Sequence, residues 1–158
     1  MPMYFEDIAV GNLVTTDTYT PSKPEIIEFA EEFDPQPFHV DEAAAEDSIF
    51  NGIVASGLHT FCLTVRLTNE ALFERTANMA GEGIDGVRFR EPVYPGDTIR
   101  AEIEAVSKEP IEEHGTGRIT HEIRTENGAG EEVLRYRALG IYQRRPDSDE
   151  SNADQSDT

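Results

Sequence analysis

Residues 56–73 read SGLHTFCLTVRLTNEALF. Wound at 3.6 residues per turn, the first half of this stretch carries apolar residues on most of its circumference, and a helix that is apolar nearly all round needs cover. Ser56 offers the hydroxyl of an N-cap, and the preceding residues of GIVASGL (52–58) are small enough for close packing at the helix entry. The chain beyond residue 86 supplies the cover. VRFREPVYPGDTIRAEIEAV (87–106), GRITHEIRTE (117–126) and EEVLRYRALGIYQ (131–143) alternate large or β-branched residues with charged ones, separated by PGD and NGAG turn signals. They read as three or four antiparallel strands, each with one dry and one wet face. The expected fold class is therefore α+β, a curved antiparallel sheet wrapped around the 56–73 helix.

Upstream, the pattern is helical after a short extended start. Ser22 and Glu25 have capping-box spacing, Pro24 lies in the would-be first turn, and Ile26, Phe29, Ala30 and Phe33 follow at helical spacing. This helix must stop near Asp34, because Pro35 disfavours helical geometry in the residue before it. Asp41 then reads as the N-cap of a short alanine-rich helix, DEAAAED (41–47).

Length bounds the rest: 158 residues allow one domain with a real core. Residues 1–145 are read as that domain. Residues 146–158, PDSDESNADQSDT, hold five acids and no apolar residue larger than alanine, so they are expected to form an acidic, disordered tail. The whole chain has 32 acidic against 13 basic residues and a formal net charge of −19. Nucleic acids and anionic membranes attract proteins through Lys/Arg patches, so neither is an expected partner. Only Lys23 and Lys108 are lysines, and scarce lysine with excess acid suits a halophilic protein, whose self-repulsion concentrated salt would screen. A lone cysteine, Cys62, and the lack of a signal segment or membrane-length apolar run imply a cytoplasmic protein, in a high-salt cytosol.

The chemistry gathers in EFDPQPFHVD (32–41). Pro35 and Pro37 restrain the backbone between Asp34 and His39, so the two side chains can be aimed at one small molecule. A carboxylate beside an imidazole can hold a water and move its proton without a metal. Taken alone, an Asp/His pair is read first as a carboxylate capping a helix end or turn and a satisfied surface histidine. Downstream, however, Gly57 stands at a helix N-terminus, where unpaired N–H groups and the positive end of the helix dipole could receive a carbonyl oxygen. Ser56 reads as the helix cap or an oxyanion-site neighbour, and Phe38 and Leu58 as core residues that could border the site. His59 reads as a core or interface histidine and Cys62 as packing. His114 and His121 have no second ligand at metal spacing, so no metal site is expected.

Three segments, FDPQPFHVDEAA (33–44), FNGIVASGLHT (50–60) and VRFREPVYPGDTI (87–99), occur in an order that resembles the MaoC-like dehydratases, the hot-dog-fold group that includes the (R)-specific enoyl-CoA hydratases. The resemblance implies that Asp34 and His39 are the catalytic pair and that the Gly57 N–H receives a thioester carbonyl. Gln36 stands where the best-known hydratases have Asn, and Ser56 where many have His. The implied reaction is reversible addition of water to a trans-2-enoyl-CoA, giving an (R)-3-hydroxyacyl-CoA, with no cofactor because CoA enters as part of the substrate. A homodimer or an assembly of dimers is also implied, and Arg66, Arg88 or Arg90 could meet the CoA phosphates. The alternatives are a hot-dog acyl-CoA thioesterase and a non-catalytic acyl-CoA-binding subunit. Residues 53–69 contain neither Asp nor Glu, which weighs against the thioesterase.

Overall fold

The computed structural model describes residues 1–146. The expected tail therefore lies, from residue 147 on, outside the described residues. In chain order the elements are β1 (Leu13–Thr15), α1 (Lys23–Phe33), α2 (Pro37–Val40), α3 (Glu42–Glu46), α4 (Gly57–Ala71), β2 (Asn78–Phe89), β3 (Ile99–Ile111), β4 (Thr116–Asn127) and β5 (Glu132–Gln143). All strand pairs are antiparallel and form one five-stranded sheet in the order β1-β3-β4-β5-β2.

The alternation in the sequence becomes the two faces of this sheet. Ile99, Ala101, Ile103 and Ala105 of β3 and Ile119 of β4 are fully buried, and Ile123 nearly so. The intervening charged residues form cross-strand ion pairs on the other face, such as Arg100 with Glu126 at 2.7 Å and Arg135 with Glu122 at 3.0 Å. Helix α4 lies on the dry face. Its Leu67 joins Ile103, Ile123 and Tyr136 in the main core, and the Thr64 hydroxyl meets that of Thr125 at 2.8 Å.

Both upstream helices start where their caps predict. The Ser22 hydroxyl accepts from the Glu25 N–H while Glu25 reaches back to the Ser22 N–H, and the Asp41 carboxylate accepts from the Ala44 N–H. Three expectations need correction. First, β2 begins at Asn78, nine residues before the predicted strand, because NMAGEGIDG has no alternation and three glycines. Hydrogen bonding to β5, interrupted by register shifts, holds it extended instead. Second, residues 37–40 close into a helical turn, α2, with the fixed φ of Pro37 starting it. Third, α4 is covered by this chain on one side only. Leu58 is 51% exposed, Val65 36%, and Cys62, expected to pack, is exposed as well. These residues fall at i, i+4 and i+7, so they form an outward stripe.

Candidate active site

Helix α1 ends at Phe33 because Asp34 leaves helical geometry while its N–H still closes the last turn on the Ala30 carbonyl at 2.8 Å. Pro35 and Pro37 then turn the chain into α2, whose inward face carries His39, only 5% exposed. The buried imidazole is oriented from behind. Its Nδ1 lies 2.6 Å from the Val54 carbonyl oxygen. A carbonyl can only accept, so Nδ1 carries the proton, and in the neutral ring Nε2 presents its lone pair.

Nε2 points to Asp34, whose Oδ2 is 3.5 Å away. That gap is too long for a hydrogen bond and suits a molecule touching both groups. The carboxylate is itself held on both oxygens: Ser56 Oγ donates to Oδ2 at 2.7 Å, and Gln36 Nε2 donates to Oδ1 at 3.0 Å. These donors, Ser56 first and Gln36 second, lower the Asp34 pKa against an opposing desolvation, with the nearby imidazole adding a smaller effect in the same direction.

His39 and Gly57 line one cavity of about 240 Å³, together with Phe50, Val54, Thr60 and Phe89 among others. Gly57 is the first residue of α4, where the N–H has no intrahelical acceptor. A Cβ at this position would lie 2.6 Å from the Phe89 ring, so the backbone is both unobstructed by its own side chain and capped by its neighbour's.

The other predicted residues take different places. Ser56 is completely buried and faces Asp34 rather than the cavity. Phe38 packs edge-on against His39, with ring centroids 4.5 Å apart, and sits on the main core. Leu58 points outward and does not line the cavity. His59 is a buried histidine stacked on Phe29 at 4.6 Å, as a core residue should be. Of the three arginines, Arg66 pairs with Glu70 at 3.1 Å and Arg90 with Glu132 at 3.6 Å. Arg88 donates to the Val87 carbonyl and has no ion pair among the described residues.

A family model for the MaoC like domain matches residues 8–127. The chain belongs to the MaoC-like domain family. It is 37% identical over 108 residues to the uncharacterized protein YdeM of Bacillus subtilis, covering 68% of this chain and 77% of that one. The crystal structure of the MaoC-like dehydratase from Rhodospirillum rubrum superposes with a TM-score of 0.85 at 34% identity, covering 91% of this chain and 99% of that one. The R-hydratase PhaJ1 from Pseudomonas aeruginosa shares the fold, with a TM-score of 0.75 at 23% identity over 91% of this chain and 88% of its own. This MaoC-like domain thus has the hot-dog fold, the α+β arrangement of a sheet about a central helix. Among the described residues of the MaoC-like domain, no helix is long and apolar enough to cross a membrane.

In this MaoC-like domain Asp34, Pro35 and His39 were legible as a motif. The Val54 carbonyl that orients His39 and the Phe89 ring over Gly57 were not, since both contacts join segments far apart in sequence.

Proposed function

We propose that the chain is a hydro-lyase, an (R)-specific enoyl-CoA hydratase and, in reverse, a 3-hydroxyacyl-CoA dehydratase. One observation carries this reading: an imidazole with its Nε2 lone pair beside an ionised carboxylate opens onto the same cavity as an unpaired helix N-terminal N–H. The thioester carbonyl docks on the Gly57 N–H. Water donates to both His39 Nε2 and Asp34 Oδ2 from beside the line that joins them. His39 takes one proton of the water as its oxygen bonds to C3, and the carbon–carbon π electrons move toward the thioester oxygen. There the Gly57 N–H and the α4 dipole stabilise the developing charge. Asp34 stabilises the imidazolium so formed, and the proton is then delivered to C2, so that the net change is addition of one water. The (R) configuration follows from the family resemblance.

The exposed stripe on α4, the free outer edge of β2, and Ile84 and Phe89, about half exposed on β2, support a homodimer joined across that edge. Arg88, free of carboxylate partners among the described residues, is proposed to meet a CoA phosphate. One observation favours a second reading. Glu91 also lines the cavity and could serve a thioesterase.

The test follows the ultraviolet absorbance of the conjugated enoyl thioester with crotonyl-CoA and a longer enoyl-CoA, with free thiol assayed in parallel. Loss of conjugation without thiol release, reduced at least a hundredfold in Asp34→Asn and His39→Gln, is the expected result, because removing a catalytic proton-transfer group costs about 10²–10⁴ in rate. Thiol release abolished by Glu91→Gln would replace the hydratase with the thioesterase. Binding of the acyl-CoA without either reaction would leave a non-catalytic subunit.

A further inference from the structure

We infer that Ser56 is a positioning residue for the acid–base pair, joining the N-terminus of α4 to the Asp34 carboxylate through one hydroxyl. The inference rests on the hydration reading above. An ordinary N-cap serine accepts from the first turn and leaves its own hydroxyl hydrogen to solvent. Ser56 has no solvent: its exposure is 0%. Its Oγ accepts from the Leu58 N–H at 3.2 Å and donates to Asp34 Oδ2 at 2.7 Å, across 22 residues of sequence. A hydroxyl has a single hydrogen to give, and here the carboxylate receives it.

Two consequences follow for the pair. The oxygen that Ser56 holds is the one facing His39 Nε2, so the hydroxyl sets where Oδ2 stands relative to the bound water. The same helix terminus that offers the Gly57 N–H to the carbonyl also polarises the Ser56 hydroxyl toward Asp34, so α4 acts on both ends of the reaction. The groups facing the carboxylate are Gln36 from its own loop, His39 from α2 and Ser56 from α4, and no Lys or Arg pairs with it among the described residues. Ser56 is accordingly the strongest single influence keeping Asp34 ionised.

Capping and positioning can be separated. Glycine is a good N-cap without a hydroxyl, whereas alanine is a poor one, so Ser56→Gly should retain most of the helix stability that Ser56→Ala loses. Both should raise the titration midpoint of the Asp34 carboxyl and lower kcat by roughly tenfold or more, as loss of a hydrogen bond to a charged group implies, with KM little changed. Ser56→Thr, which restores a hydroxyl, should bring both back. Titration of the Asp34 carboxyl by carbon NMR reads the link without turnover, and its midpoint should rise in Ser56→Gly. An unmoved Asp34 titration, or kcat losses that track unfolding across the variants, would reduce Ser56 to a cap and overturn the inference. Absence of hydration in the wild type alongside a shifted Asp34 titration would instead remove the proposed reaction and leave the link standing.

Discussion

At Gly57 the Phe89 ring already stands where any side chain would project, with 2.6 Å between it and a Cβ built there. Any larger residue there would force the half-exposed Phe89 ring or the helix terminus to move, and the N–H that Gly57 exposes is the one the proposed mechanism uses. Gly57→Ala should cost more than tenfold in kcat/KM because the ring or the helix terminus must shift, and misplacement by about 1 Å can cost about 10². Removing the obstacle tests the cause: Phe89→Ala combined with Gly57→Ala should recover part of the loss, a coupling that a double-mutant cycle on kcat/KM measures. Strict additivity would place the effect elsewhere. His39 makes the same point about single residues. Its identity was visible in the sequence, but which ring nitrogen is left to face Asp34 was decided by the Val54 carbonyl 15 residues away.

Within the strand and helix layers, β4 carries a third buried imidazole, after His39 and His59. His121 is 1% exposed, and neither ring nitrogen has a hydrogen-bond partner among the described residues. It packs edge-on against Phe73 at 5.2 Å and beside Tyr142 at 6.1 Å. Desolvation lowers its pKa to about 4. The unfolded chain therefore binds this proton more readily than the folded one between the ordinary imidazole value and about pH 4, and stability must fall as pH falls through that window. The loss should reach on the order of 3 kcal/mol at its acid end. Chemical denaturation at pH 7 and pH 5 should read about 2 kcal/mol of it, and His121→Phe, which keeps an aromatic ring in an aromatic setting, should flatten the dependence. In sequence His121 looked like one more residue of an alternating strand. Its inward register was legible, but the lack of any partner depends on what α4 and β5 bring to that spot.

Across the whole molecule, charge is the dominant long-range effect. A net charge of −19 opposes compaction, and the ion pairs on the wet face of the sheet are solvent-facing and individually weak. Added salt screens the repulsion over a Debye length of about 10 Å at 0.1 M and about 3 Å at 1 M. The thermal midpoint should rise between low salt and molar KCl, and an unchanged or falling midpoint would count against adaptation to concentrated salt. The uncovered stripe Leu58, Cys62, Val65 together with the open β2 edge belongs to this scale too, because a second copy would bury what the single chain leaves exposed.

What the sequence by itself determined is local: the helix caps, the proline stops around Asp34, the period-2 strands and the wording of each family segment all depend on neighbours within a few residues. On those grounds the α+β class, the central helix and the Asp34/His39 pair were readable before any coordinates. The tertiary structure alone decided that the glycine-rich 78–86 stretch pairs as a strand, that one side of α4 stays uncovered, that Phe89 lies over Gly57 and that Ser56 spends its hydroxyl on Asp34. Each of these depends on a partner brought close by folding, and contacts between distant segments are set by packing and hydrogen-bond satisfaction rather than by any local pattern.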